Sequence, residues 1–256
     1  MSFTQAIVRP PGANFAAGVT TSREGPPNID LAREQHRAYC NALVACGLTL
    51  VALPEEPAHA DACFVEDVAI VTPRGAVATR PGDPSRQGEV TSVLPSLKAM
   101  CGEVARIFAP GTLDGGDVCE ADGHYLIGLS ARTNVAGAEQ LESLLAEVGY
   151  SCSIVDIRHS KRLLHLKTGM TYLGDGRMVV TADVPRGPLG LFELIEVAEN
   201  ERYAANCMRV NDRVLIAAGY AQVRAEIEAC GYEVIALEMS EFRKMDGGLS
   251  CLSLRA

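Results

Sequence analysis

Two side chains able to do covalent and proton-transfer chemistry stand far apart in this sequence. One is Cys251, in Met245-Asp-Gly-Gly-Leu-Ser-Cys-Leu-Ser-Leu254; the other is His165, in Leu163-Leu-His-Leu-Lys167. A thiolate is a strong nucleophile, and an imidazole can both give and take a proton near neutral pH. Acidic groups recur upstream of both, as Glu66-Asp67 and Asp114-Gly-Gly-Asp117. Carboxylates attract cations, so a Cys, a His and several carboxylates in one pocket would form a reaction constellation rather than surface decoration. Each residue also has an ordinary role to weigh: a Cys is usually a small buried apolar residue, a His between leucines a core residue, and Asp-Gly a turn. What separates the two readings is whether the fold gathers these positions.

The elements that would gather them repeat. Ala6 to Val8 is a strand broken by Arg9-Pro10-Pro11-Gly12, and Gly18 to Pro27 is an irregular loop long enough to act as a lid. Asn28 is placed to cap a helix with apolar positions Leu31, Ala38, Leu43 and Ala45 and a stop at Gly47, after which Leu48 to Leu53 is a strand. A hairpin around Pro73-Arg74-Gly75 leads to a helix from about Arg86 to Cys101 and a strand from Val104 to Phe108. The pattern returns with a turn at Ala121-Asp122-Gly123, a helix from Val135 to Val148 and a strand from Cys152 to Ile157. It returns again with a turn at Gly174-Asp175-Gly176 and a weaker helical stretch near Leu189 to Leu194. A fourth copy has its turn at Asn211-Asp212, a helix from Ala221 to Ala229 and a strand from Tyr232 to Leu237.

Gly247 to Leu254 then supplies the first arm of one more hairpin, paired with the N-terminal strand. The period is about 45 residues, which lets five ββαβ units fit the chain. In a closed ring the hairpin entrances face one axial hole, bringing together Glu66 and Asp67, Asp114 and Asp117, His165 and Lys167, Asn206, and Cys251. Asn206 reads as a structural residue and Lys167 as a modulator of charge beside His165.

Composition narrows the classes of function. The chain has 256 residues, enough for one large domain or two small ones, and is 48% hydrophobic and 21% charged, which is ordinary globular material. A net charge of −9 argues against a nucleic-acid groove, and there is no polybasic run for a membrane surface. Nine cysteines without a CxxC pair or zinc-type spacing point to reduced thiols in the cytoplasm. The N-terminal residues lack a basic segment followed by an apolar core, and no stretch is apolar for long enough to span a bilayer.

Seven motifs, in order, carry a family resemblance: Phe64-Val-Glu-Asp-Val68, Thr79-Arg-Pro-Gly82 with Pro84-Ser-Arg86, Asp114-Gly-Gly-Asp117, Leu129-Ser-Ala-Arg-Thr-Asn134, Leu164-His-Leu-Lys167, Ala204-Ala-Asn-Cys207 and Asp246-Gly-Gly-Leu-Ser-Cys251. Together they resemble the dimethylarginine dimethylaminohydrolases of the guanidino-group-modifying superfamily. The resemblance implies a pentein fold, an α/β five-bladed propeller with pseudo-fivefold symmetry and its active site in the central channel. It also implies metal-independent hydrolysis of N-methylated arginine to citrulline and a methylamine.

By the same resemblance Cys251 is the nucleophile, His165 the general acid and base, and Asp67 and Asp114 the guanidinium ligands, with Glu66 beside them. Asp61 would hold the substrate amine, Arg86 and Arg132 its carboxylate, while the carbonyls of Met245 and of a lid residue near Glu24 would also touch the amine. This chain departs from close bacterial relatives at two positions, with Asp114 where they carry Glu and Glu24 where they carry Leu. No cofactor is implied, although zinc on Cys251 and His165 would inhibit. The expected partner is a small methylated arginine, the expected assembly a monomer or homodimer. Alternatives are an arginine or agmatine deiminase, an amidinotransferase, and a non-catalytic pentein-like binding module.

Overall fold

The computed structural model describes residues 2–256 and arranges them as five three-stranded mixed sheets. Every sheet has the same plan: an antiparallel hairpin, then a third strand parallel to the hairpin arm beside it. The hairpins are Ala69–Thr72 with Gly75–Ala78, Val118–Ala121 with His124–Leu129, Met170–Gly174 with Arg177–Val180, and Met208–Val210 with Arg213–Ala217. Their third strands are Val104–Arg106, Ser151–Asp156, Glu193–Glu196 and Glu233–Leu237. The fifth blade joins both ends of the chain, with Ser253–Arg255 antiparallel to Gln5–Val8, which runs parallel to Thr49–Ala52.

Local chemistry explains the hairpins. Asp122, Asp175 and Asn211 take φ values of 51°, 54° and 57° at three of the turns, the left-handed conformation that Asp and Asn tolerate best after glycine. Helices Glu89–Cys101, Val135–Glu147 and Ala221–Ala229 cross back between blade strands, and Ile29–Ala45 does so in the blade shared by the two ends. Asn28 caps the last of these, accepting from the N–H groups of Asp30 and Leu31. That helix buries Ala32, Gln35, His36, Tyr39, Ala42 and Leu43, while Leu31 is exposed. The expected apolar face is therefore displaced, because it includes the polar but buried Gln35 and His36.

The expected helical stretch from Leu189 to Leu194 is replaced by a 3-10 turn, Gly187–Leu189, and then a strand. Pro185, Gly187, Pro188 and Gly190 explain the difference, since they remove backbone donors and disfavour a helix despite the apolar pattern.

Helix side chains close the gaps between blades. Val93 and Leu97 join Ile7, Val68, Ala69 and Leu254, whereas Ala138, Leu141 and Leu145 join Val77, Tyr125 and Ile127. Full burial of each such aliphatic contributes about 1.5–3 kcal/mol, so neighbouring blades are held in register mainly by these seams. Among the described residues no helix is long and apolar enough to cross a membrane.

The hairpin entrances are not strands. Each is preceded by a short helical turn: Val65–Val68, Gly115–Asp117, Leu166–Gly169, Glu199–Ala205 and Ser250–Leu252. Glu66 and Asp67 lie within the first, Asp114 and His165 cap the second and third, Asn206 follows the fourth and Cys251 sits in the last. Fivefold repetition thus delivers the polar residues as a ring.

Candidate active site

Cys251 and His165 line the same small cavity, with Asp61, Asp67, Arg86, Asp114, Arg132 and Met245 on its walls. The turn that carries the thiol is held from behind by Asn206, which accepts from Ser250 N–H at 3.1 Å and donates to the Lys167 carbonyl at 2.8 Å. Asn206 therefore has a site-supporting task that its sequence context did not disclose. The Gly248 N–H points at the sulfur, 3.4 Å away. Burial pushes the thiol up to about 12, and Glu66 and Asp67 add to the shift. Cys251 is consequently protonated at neutral pH.

His165 is fixed by two acids. Its Nε2 lies 3.0 Å from Asp114 Oδ2, and its Nδ1 is 3.9 Å from Asp67 Oδ1. Burial opposes the charged ring, but Asp67, the hydrogen bond to Asp114 and the charge of Asp117 outweigh it and raise His165 to about 9. Asp67 responds in the opposite direction: burial disfavours its charge, yet His165 and Arg86 hold it down at about 2. The resting pocket is thus a neutral thiol beside an imidazolium and an ionised carboxylate. Gly116 makes this approach possible, because a Cβ there would sit 2.6 Å from His165 Nδ1 and 2.8 Å from Asp67 Oδ1.

The two arginines are already partnered. Arg86 is buried, with Nη1 on Asp67 at 2.6 Å and its Nε and Nη2 on Glu89 at 3.1 and 2.8 Å. Arg132 is half-buried and binds Asp83 at 2.6 Å. Asp61 accepts from the Val19 N–H at 2.9 Å, and burial raises its carboxyl above the usual range. Glu66 lies to the side, between Lys167 at 2.5 Å and the Ser250 hydroxyl at 2.7 Å, so it neutralises Lys167 and braces the thiol turn.

The 18–27 loop does cover this mouth, but Glu24 is not among the residues of the inner cavity. Its carboxylate is drawn outward to Arg243, at 3.1 and 2.8 Å, and Val19 is the loop residue on the inner wall. Asp246 ties the loop down by accepting from Thr21 N–H and its hydroxyl, at 2.5 and 2.9 Å. The inner cavity measures about 30 Å³ and opens towards an outer one of about 320 Å³, lined in part by Glu24, Tyr203 and Arg243. Asp83 and Arg243 escaped the sequence reading, which held Asp246 only as part of the Cys251 motif and gave it no task; only the position of Asp83 before Pro84-Ser85, a turn-capping signal, hinted at its place. Asp67, Asp114 and His165 offer donor atoms all within 4.8 Å of one another, a set that does not include Cys251.

A ring of five ββαβ blades with a thiol, an imidazole and paired carboxylates at one mouth of its channel defines the pentein class of guanidino-modifying proteins. Comparison sharpens this. The family model described as arginine deiminase matches residues 94–212. The N(G),N(G)-dimethylarginine dimethylaminohydrolase of Pseudomonas aeruginosa is 42% identical over 99% of both chains, and that of Streptomyces coelicolor is 32% identical over 100% of this chain and 98% of its own. A solved structure of the Pseudomonas aeruginosa protein, a Cys-to-Ser mutant complexed with citrulline, superposes with a TM-score of 0.96 at 41% identity over the whole of both chains. The chain belongs to the dimethylarginine dimethylaminohydrolase family.

Proposed function

We propose that this protein hydrolyses Nω-methylated L-arginines, asymmetric dimethylarginine and monomethylarginine, to L-citrulline and dimethylamine or methylamine. The observation that carries the reading is the shared cavity of Cys251 and His165, with His165 hydrogen-bonded to Asp114 at 3.0 Å, in a chain 42% identical to a relative of that name.

In this reading Asp67 and Asp114 accept N–H bonds from the guanidinium and present its central carbon to the sulfur. The arriving cation lowers the thiol pKa that burial had raised, so the thiol releases its proton to solvent and the substrate helps generate its own nucleophile. The thiolate adds to the carbon, and the tetrahedral adduct collapses as the C–N bond breaks and His165 delivers its proton to the departing amine. This leaves an S-alkylthiouronium on Cys251 and a neutral imidazole. The imidazole takes a proton from water, whose oxygen attacks the same carbon; the C–S bond breaks, the added hydroxyl gives its proton to the departing sulfur as the ureido carbonyl forms, and the neutral thiol and imidazolium are restored. Asp61 receives the substrate amine together with the carbonyls of Met245 and a loop residue. Arg132 takes the α-carboxylate, with the remaining Nη1 N–H of Arg86 as its second donor.

Nine free cysteines support a cytoplasmic location. We read residues 1–256 as one catalytic domain, acting as a monomer or homodimer on a small free substrate. The arginine deiminase match over 94–212 favours one second reading, the same chemistry with ammonia as the leaving group. Citrulline release from asymmetric dimethylarginine, monomethylarginine and arginine, and N-carbamoylputrescine release from agmatine, decide between them. Turnover of the methylated substrates is expected, with loss of at least about 10³-fold in Cys251→Ser; undiminished turnover in that variant would rule out the nucleophile.

A further inference from the structure

Asp117 is completely buried, is not among the residues of the inner or the outer cavity, and has no role in the mechanism above. Its carboxylate nevertheless touches every segment that carries a working group on the His165 side. Oδ1 accepts from Leu166 N–H at 2.9 Å, one residue after His165. Oδ2 accepts from the hydroxyls of Ser130 and Thr133, at 2.6 and 2.7 Å. Those hydroxyls pass the constraint on. Ser130 Oγ accepts from the N–H of Arg132 at 2.9 Å and of Thr133 at 3.1 Å, while Thr133 Oγ1 accepts from Asp114 N–H at 3.1 Å.

The direction of these bonds matters more than their number. Each hydroxyl has one proton, and both protons are spent on Asp117, which leaves the oxygen lone pairs free to receive backbone N–H groups. An all-acceptor group is therefore needed at the centre. An amide would turn an NH₂ towards two hydroxyls that already accept from the backbone, and one side of the network would be left unsatisfied. Burial raises the Asp117 carboxyl to about 6, so it is still mostly ionised at neutral pH.

We propose that Asp117 is a positioning residue that sets the proton-transfer group and the carboxylate clamp together: through Leu166 and Thr133 it places His165 and Asp114, and through Ser130 it places Arg132. The two arms diverge at Oδ2: only the Ser130 hydroxyl receives Arg132 N–H and only the Thr133 hydroxyl receives Asp114 N–H, so each can be weakened at its own hydroxyl. The assignment rests on the function proposed above.

The test is steady-state kinetics on asymmetric dimethylarginine for wild type, Asp117→Asn, Ser130→Ala and Thr133→Val, with thermal melts of each. Ser130→Ala cuts the Arg132 arm and is expected to raise KM several-fold with kcat within twofold. Thr133→Val cuts the Asp114 arm without changing shape and is expected to lower kcat several-fold with KM within twofold. Asp117→Asn is expected to do both, lowering kcat/KM by about 10²-fold. A merely structural role lowers melting temperatures without separating KM from kcat. That result, or unchanged kinetics in the two single-arm variants of an active wild type, overturns the assignment even if Asp117→Asn does not fold. An inactive wild type overturns the functional reading first, and this assignment with it.

Discussion

Arg86 and Arg132 face one cavity and are expected to meet one substrate carboxylate, yet their surroundings differ. The Arg86 side chain is 8% exposed and shares Asp67 and Glu89, themselves 3% and 2% exposed; Arg132 is 17% exposed and its partner Asp83 23%. Removing one member of a buried network strands the others in a medium that solvates charge poorly, whereas a pair within reach of solvent can exchange its partner at lower cost. One arginine thus serves as framework for Asp67, and the other as the exchangeable contact. On the proposed function, similar residues in one pocket divide the tasks of building the site and binding at it.

The largest expected effect breaks the framework. Arg86→Ala leaves Asp67 and Glu89 buried without their cation and is expected to cost about 3–5 kcal/mol, a fall of roughly 6–20 °C in melting temperature, measured by calorimetry alongside loss of turnover. Arg132→Ala is expected to leave stability within about 1 kcal/mol, while kcat/KM for methylated arginine falls about 10²-fold, chiefly through KM. The same variant should show little change with a decarboxylated analogue, which has no carboxylate to clamp. Equal melting losses in the two variants would erase the distinction.

The smallest effect is in acid. The hydrogen bond from Ser85, together with Arg132, holds Asp83 at about 2, and Asp67 is held at about 2 against its burial by His165 and Arg86. Both lie below an unfolded carboxyl near 3.8, so each contributes stability that is complete above that value and is lost as pH falls through about 2. Solvent screens Asp83 much more strongly. Asp83→Asn is therefore expected to leave the acid-unfolding curve almost unchanged, whereas Asp67→Asn should flatten it in this interval.

Much of the fold was legible because its signals are local. Asp-Gly and Asn-Asp turns fix hairpins through φ preferences that need no partner, and Asn28 caps its helix with its own side chain. Leu189 to Leu194 misled because apolar spacing was weighed above the glycines and prolines around it. In the site, the motifs located Cys251, His165 and the carboxylates, but partners were hidden wherever a contact crosses blades. The sequence does not reveal that Arg86 is spent on Asp67 and Glu89, or that Arg243 pulls Glu24 off the inner wall. Asn206 looked structural for the same reason, since its bonds to Ser250 and Lys167 span 44 and 39 residues.

The clasp between the two chain ends has a further consequence. Thr4 and Gln5 donate to the carbonyl of Ala256, at 2.7 and 2.9 Å, and the strand so secured begins two residues after Cys251. Cys251 is therefore seated only when the first and last segments find each other, the contact most distant along the polypeptide and so among the slowest to form. During refolding, protection of Cys251 from a thiol reagent would time the moment at which the ring shuts.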